Sequence, residues 1–68
     1  MHLSIHMLRR EDEVRKALDR DGWNLQAEEG PGRMRARHPQ VPDEQVARRR
    51  LNDLGLLTCR ECRIEFLP

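Results

Sequence analysis

Residues 23–38, WNLQAEEGPGRMRARH, decide the fold of this chain. Apolar and polar side chains alternate over residues 23–28 and again over 33–38, which is the period-two pattern of a half-buried strand. Residues 29–32 between them are Glu-Gly-Pro-Gly, a composition typical of a turn. The stretch therefore predicts an antiparallel hairpin with a four-residue loop.

Both strands of this hairpin agree on one register. With a four-residue loop, the polar pairs on one face are Glu28–Arg33, Gln26–Arg35 and Asn24–Arg37. The pairs on the other face are Ala27–Met34, Leu25–Ala36 and Trp23–His38. A slip of one residue would turn every side chain to the wrong face. The register predicts three arginines on the same side of the sheet.

The flanking sequence predicts two helices and two more strands. Residues 2–8 and 62–66 alternate as strands do. Residues 10–21 have three acids directly after Arg10 and are followed by Gly22, while residues 42–54 begin Pro-Asp-Glu and are followed by Gly55. Acids favour the start of a helix and glycine favours its end. Val14 and Leu18, like Ala47 and Leu51, supply apolar faces.

The predicted fold class is therefore α+β, with the element order β-α-β-β-α-β of the split βαβ or ferredoxin-like arrangement. Right-handed crossovers would give a four-stranded antiparallel sheet ordered 4-1-3-2 with both helices on one face. If the first strand does not form, the remainder is an αββαβ unit with three strands. Residues 1–68 are long enough for a single domain.

Composition restricts the function only slightly. The net charge is +1, yet residues 30–50 hold six arginines against two acids. No apolar stretch approaches the ~20 residues of a transmembrane helix. No signal peptide is recognisable, and two cysteines cannot build a disulfide framework. We expect a cytoplasmic protein that is not attached to a membrane.

The basic residues are the candidate binding site. We expect an Arg-rich sheet face and the second helix to bind nucleic acid or an acidic protein surface, because guanidinium groups suit phosphate and carboxylate. The candidate residues are His6, Arg33, Arg35, Arg37, Arg48 and Arg49. This sheet face lacks the aromatic side chains on which single-strand binders stack bases. The alternative is a solvated face on which Glu28 and Glu65 pair with the arginines.

Residues 59–62, Cys-Arg-Glu-Cys, are half of a zinc site. On a strand, residues three apart point to opposite faces, so Cys59 and Cys62 need a turn in order to chelate an ion. His2 and His6 would lie about 13 Å apart on a strand, too far for one ion. We expect Cys62 in the core and Cys59 at a loop end, with no cofactor; a zinc-stabilised mini-domain is the alternative.

No catalytic residues emerge from the sequence. His38 falls on the inward face near Trp23, where a buried, hydrogen-bonded histidine is commoner than a catalytic one. No nucleophile has a histidine and a carboxylate at a recognisable spacing. We expect a non-enzymatic binding or regulatory module; the alternative is a homodimer that buries its polar sheet face and binds no ligand.

Three short motifs resemble the HicA type of small mRNA-cleaving toxins. They are LDRDGW at residues 18–23, RHP at 37–39 and LNDLGL at 51–56. The resemblance would imply RNA cleavage by a histidine that follows Gly-Ser in the hairpin. Residues 30–34 of this chain, Gly-Pro-Gly-Arg-Met, contain no histidine, and the last strand is foreign to that family. No active site is transferred from it.

Overall fold

The computed structural model describes residues 1–67 and contains all six predicted elements. The elements are β1 (His2–Met7), α1 (Glu11–Arg20), β2 (Asn24–Ala27), β3 (Arg33–Arg37), α2 (Glu44–Asp53) and β4 (Cys62–Leu67). The alternating N-terminal residues do form a strand, so the three-stranded alternative is not needed.

The four strands form one sheet in the order β2-β3-β1-β4. Every neighbouring pair is antiparallel. This order is the predicted 4-1-3-2 arrangement of the ferredoxin-like fold. It places β1 and β3 in the centre and leaves β2 and β4 at the edges.

The hairpin of β2 and β3 has the predicted register. Asn24 pairs with Arg37 and Gln26 with Arg35. Beyond the end of β2, the Glu28 amide donates to the Arg33 carbonyl at 3.1 Å, which leaves residues 29–32 as the loop. The same alternation then continues into β1, where Ser4 lies opposite Arg35.

Both helices cover the same face of the sheet. Leu3 and Ala36 of the sheet belong to one apolar cluster with Leu18 of α1 and Leu51 of α2, and all four are fully buried. Burying each such side chain contributes on the order of 1.5–3 kcal/mol. The opposite sheet face carries the polar residues and is not covered by any element of residues 1–67.

The two helices end in the same way. After α1, the Trp23 amide donates to the Leu18 carbonyl at 3.0 Å, and after α2 the Leu56 amide donates to the Leu51 carbonyl at 2.9 Å. These bonds are those of a Schellman motif, which stops a helix and turns an apolar residue back onto it. Trp23 and Leu56 are accordingly buried.

The helix starts differ. The Asp43 side chain accepts from the Val46 amide at 3.0 Å, so α2 has the N-cap that its sequence predicts. Arg10 precedes α1 in a left-handed conformation and makes no side-chain cap. Neither helix in residues 1–67 has the length and apolar character needed to cross a bilayer.

Candidate anion-binding surface

The uncovered side of the sheet, called here the open sheet face, is polar across all four strands. It consists of His2, Ser4 and His6 of β1, Asn24 and Gln26 of β2, Glu28 directly after β2, Arg33, Arg35 and Arg37 of β3, and Arg63 and Glu65 of β4. Ser4 and His6 are half-buried, and the others are exposed. Four arginines against two glutamates make this face basic.

The three arginines of β3 project from the open sheet face as predicted, but they are not equivalent. Arg35 forms an ion pair with Glu28, with 3.3 Å between the guanidinium and carboxylate atoms. Arg33 and Arg37 form no ion pair with any side-chain carboxylate of residues 1–67. Two of the three guanidinium groups are thus available to an external anion.

A second row of basic side chains runs across the sheet at the end near the hairpin loop. His6 lies directly opposite Arg33 on one side and Arg63 on the other. Within the described part of the chain, Arg63 has no carboxylate partner either. A shallow depression of about 340 Å³ separates these side chains and is also lined by Ser4 and Glu65. The sequence singled out His6 and Arg33 here but not Arg63.

The arginines of α2 lie elsewhere. Because α2 packs on the covered face, Arg48 and Arg49 belong to the helix layer, on the far side of the sheet from Arg33. The Arg48 Nε donates to Glu44 at 2.8 Å, and its guanidinium carbon stands 4.4 Å from the centre of the Phe66 ring. The structure does not bring the two predicted groups of arginines together on one surface.

Aromatic side chains do not contribute to the open sheet face. Trp23 is 2% exposed and Phe66 belongs to the cluster beneath the helices. The imidazoles of His2 and His6 are the flat rings on this side. The open sheet face therefore offers a ligand charged groups for ion pairing but few rings for base stacking.

His38 is a structural residue, as predicted. It is 4% exposed and its ring meets Trp23 edge-on, with 5.2 Å between the ring centroids. The Gln40 amide donates to its Nδ1 at 3.0 Å, so the Nε2–H donates to the Asp21 carbonyl at 2.7 Å. Both ring nitrogens of the buried His38 are therefore hydrogen-bonded to the backbone.

Asp21 connects the end of α1 to Trp23 and Arg50 through contacts that could not be predicted from the sequence. Its carboxylate accepts from the Trp23 Nε1 at 2.9 Å and from the Arg50 Nε at 3.0 Å. The Arg50 Nη2 donates to both the carboxylate and the carbonyl of Asp21 at 3.1 Å. One aspartate thus joins the end of α1 to α2 and to the start of β2.

The two cysteines occupy the predicted positions but lie closer together than expected. Cys62 is buried at the start of β4, and Cys59 is half-buried in the preceding loop. A turn brings their Sγ atoms to 3.8 Å. Burial, and then the neighbouring Cys59, raise the pKa of the Cys62 thiol to about 12. No group of three or more His, Cys, Asp or Glu side chains in residues 1–67 is arranged to hold a metal ion.

Comparison with known proteins gives no relative: no family model, curated protein or solved structure matches this chain. The resemblance to the HicA-type toxins therefore stays a prediction from three short motifs.

Proposed function

We propose that this chain is a small, non-enzymatic, cytoplasmic binding module whose open sheet face binds the phosphodiester backbone of a nucleic acid. The observation that supports this proposal most is the set of three guanidinium groups, on Arg33, Arg37 and Arg63, that share an uncovered face without a carboxylate partner in residues 1–67. The cytoplasmic location is expected because two cysteines do not make the disulfide framework of a small secreted domain.

The charge arrangement favours an anionic partner. Arg33 and Arg63 flank His6 on adjacent strands, so their backbones are about 10 Å apart. Both guanidinium groups carry a positive charge, so they repel each other across β1. A phosphate between the two long side chains would remove that repulsion and accept hydrogen bonds from both guanidinium groups.

The expected mode of binding is independent of sequence. Phosphate contacts orient a nucleic acid but carry no base information. With imidazoles as the flat rings on this face, base stacking contributes little. We therefore expect similar affinity for strands of different sequence, and a strong decrease in affinity as the salt concentration rises.

The test is the affinity of two charge-matched double variants for a fluorescent single-stranded oligonucleotide. Arg33→Ser with Arg37→Ser removes two guanidinium groups from the open sheet face. Arg15→Ser with Arg20→Ser removes two exposed arginines from α1. The sheet variant should bind more weakly, and its plot of log affinity against log salt should be shallower by about 1.4, since each phosphate contact on a single strand contributes about 0.7.

Equal weakening in both double variants would contradict the proposal, because only net charge would then matter. Unchanged affinity in the sheet variant would contradict it as well. If the wild-type chain ignores nucleic acid but sediments as a dimer whose dissociation constant depends on Arg33 and Arg37, the open sheet face serves self-association and the proposal is wrong.

A further inference from the structure

Three atoms near the start of β4 form an almost equilateral triangle. The Sγ atoms of Cys59 and Cys62 are 3.8 Å apart. The carbonyl oxygen of Leu56 is 3.5 Å from the first Sγ and 3.7 Å from the second. Both thiols thus converge on one backbone oxygen, on the side of the sheet opposite to the polar face.

The positions of these atoms are set by the chain around them. The Leu56 amide is held by the Leu51 carbonyl at the end of α2, and its side chain is buried. Cys62 pairs with Met7 of β1 and is 5% exposed. Two anchored elements therefore fix the oxygen and one sulfur, while Cys59 approaches from the loop and is half-exposed.

We propose that this triangle is a binding site for Zn²⁺, with the two thiolates and the Leu56 carbonyl as ligands and a water in the fourth position. In a tetrahedral site with zinc–sulfur bonds of ~2.3 Å and zinc–oxygen bonds of ~2.1 Å, the ligand atoms are separated by ~3.6–3.8 Å. The three observed separations match these edges. An ion bonded to all three atoms would sit about 1 Å above the plane of the triangle.

The chemistry of the thiols is consistent with a cation between them. Zinc displaces one proton from each thiol, so the balanced reaction is Zn²⁺ plus two thiols giving a zinc dithiolate and two protons. A dication supplies the charge that permits two thiolates to lie side by side.

Zinc at this position would connect the loop after α2 to β4. The zinc site does not share residues with the open sheet face, so a chain that binds no zinc could still bind nucleic acid. Because an ion bound only by the folded chain stabilises it, zinc should raise the melting temperature in proportion to the logarithm of its free concentration.

The experiment is a titration of the reduced chain with Co²⁺, followed by displacement with Zn²⁺ and by native mass spectrometry. We expect thiolate-to-cobalt charge-transfer absorption, intense tetrahedral d–d bands, and one zinc per monomer. Cys59→Ser and Cys62→Ala should each lower the zinc affinity at least about 100-fold, since losing a direct ligand exceeds the 10–100-fold effect of an outer-shell change. Thr58→Ser alters a neighbouring residue but no ligand and should bind normally.

Absence of the charge-transfer band, or equal zinc affinity in the Cys59→Ser variant, would overturn the proposal. A ratio of one zinc to two chains would also overturn it, because four thiolates from two copies would then replace the Leu56 oxygen. If Cys62→Ala fails to fold because Cys62 is buried, Cys59→Ser still tests the proposal, since Cys59 is half-exposed.

Discussion

At the scale of single residues, Asp21 accepts hydrogen bonds from three different side chains. Its carboxylate and carbonyl together receive the Trp23 indole, the Arg50 guanidinium and the His38 imidazole. The Asp21 side chain is only 20% exposed, so water replaces these partners poorly. Removal of the carboxylate leaves the buried Trp23 Nε1–H without an acceptor and leaves the Arg50 guanidinium with the Asp21 carbonyl alone.

We predict that Asp21→Ala lowers the free energy of unfolding by about 2 kcal/mol, the cost of leaving such groups unpaired. Glu44→Ala is the matched control, because it also removes a carboxylate bonded to an arginine, but one that is 51% exposed. The control should lose at most about 0.5 kcal/mol. Urea denaturation of both variants measures the difference; equal losses would show that the Asp21 contacts add nothing.

Glu28 is expected to restrain binding at the open sheet face. Its carboxylate occupies the Arg35 guanidinium at 3.3 Å, and both side chains are partly exposed. Replacing it by glutamine, which keeps the shape, should release Arg35 and strengthen oligonucleotide binding about 1.4- to fivefold, since an exposed ion pair is worth about 0.2–1 kcal/mol. Fluorescence anisotropy at low salt measures the oligonucleotide affinity.

Glu29→Gln is the control for net charge, because Glu29 neighbours Glu28 but forms none of the described ion pairs. If Glu28→Gln and Glu29→Gln strengthen binding equally, the gain does not come from a specific release of Arg35.

At the scale of elements, the helix ends show how one motif serves two purposes. Gly22 and Gly55 both follow a helix with positive φ, at 96° and 75°. A Cβ on Gly55 would meet nothing within 4 Å, whereas one on Gly22 would stand 2.8 Å from the His38 Nε2. Gly55 therefore only ends α2, whereas Gly22 ends α1 and also lies in contact with the His38 ring.

We predict that Gly55→Ala destabilises the chain by about 1–2 kcal/mol, the cost of an L-residue in the left-handed conformation. Gly22→Ala should cost about 2–4 kcal/mol, because His38 must also move and lose its bond to Asp21. Thermal unfolding of the two variants gives the difference. If the two variants lose the same free energy of unfolding, the close approach of His38 to Gly22 does not contribute to the stability of the chain.

The elements themselves could be predicted from the sequence because their signals are local. Strand alternation fixed the hairpin register, and glycine marked both helix ends. The Asp21–Arg50 contact could not be predicted, since it joins residues 29 positions apart and no periodicity reports such a pair. The approach of Cys59 to Cys62 depends on an irregular loop, whose course the pattern of side chains does not encode.

The candidate surface was only partly predictable for a different reason. The hairpin register places Arg33, Arg35 and Arg37 on the open sheet face, but Arg63 is not among the candidate residues that the sequence predicts. Arg48 and Arg49 were grouped with the others by charge alone. Two helices on one face of the sheet already imply that α2 cannot share a surface with the open face.

At the scale of the whole molecule, a layer of two helices closes one side of a four-stranded sheet and leaves the other side to solvent or a partner. The principal dimensions are 28, 23 and 19 Å. Seven arginines of residues 1–67 form no ion pair with a carboxylate, and three of them, Arg33, Arg37 and Arg63, lie together on the open sheet face. A phosphate backbone lying across β3, β1 and β4 would contact these three.

The most direct measurement follows the side-chain Nε–Hε resonances of the arginines by NMR while a single-stranded oligothymidylate is added. The signals of Arg33, Arg37 and Arg63 should shift together and return as salt is raised, while that of Arg48, held by Glu44 and Phe66 in the helix layer, should stay in place. Shifts confined to Arg48 and Arg49, or none at saturating oligonucleotide, would contradict binding through the open sheet face.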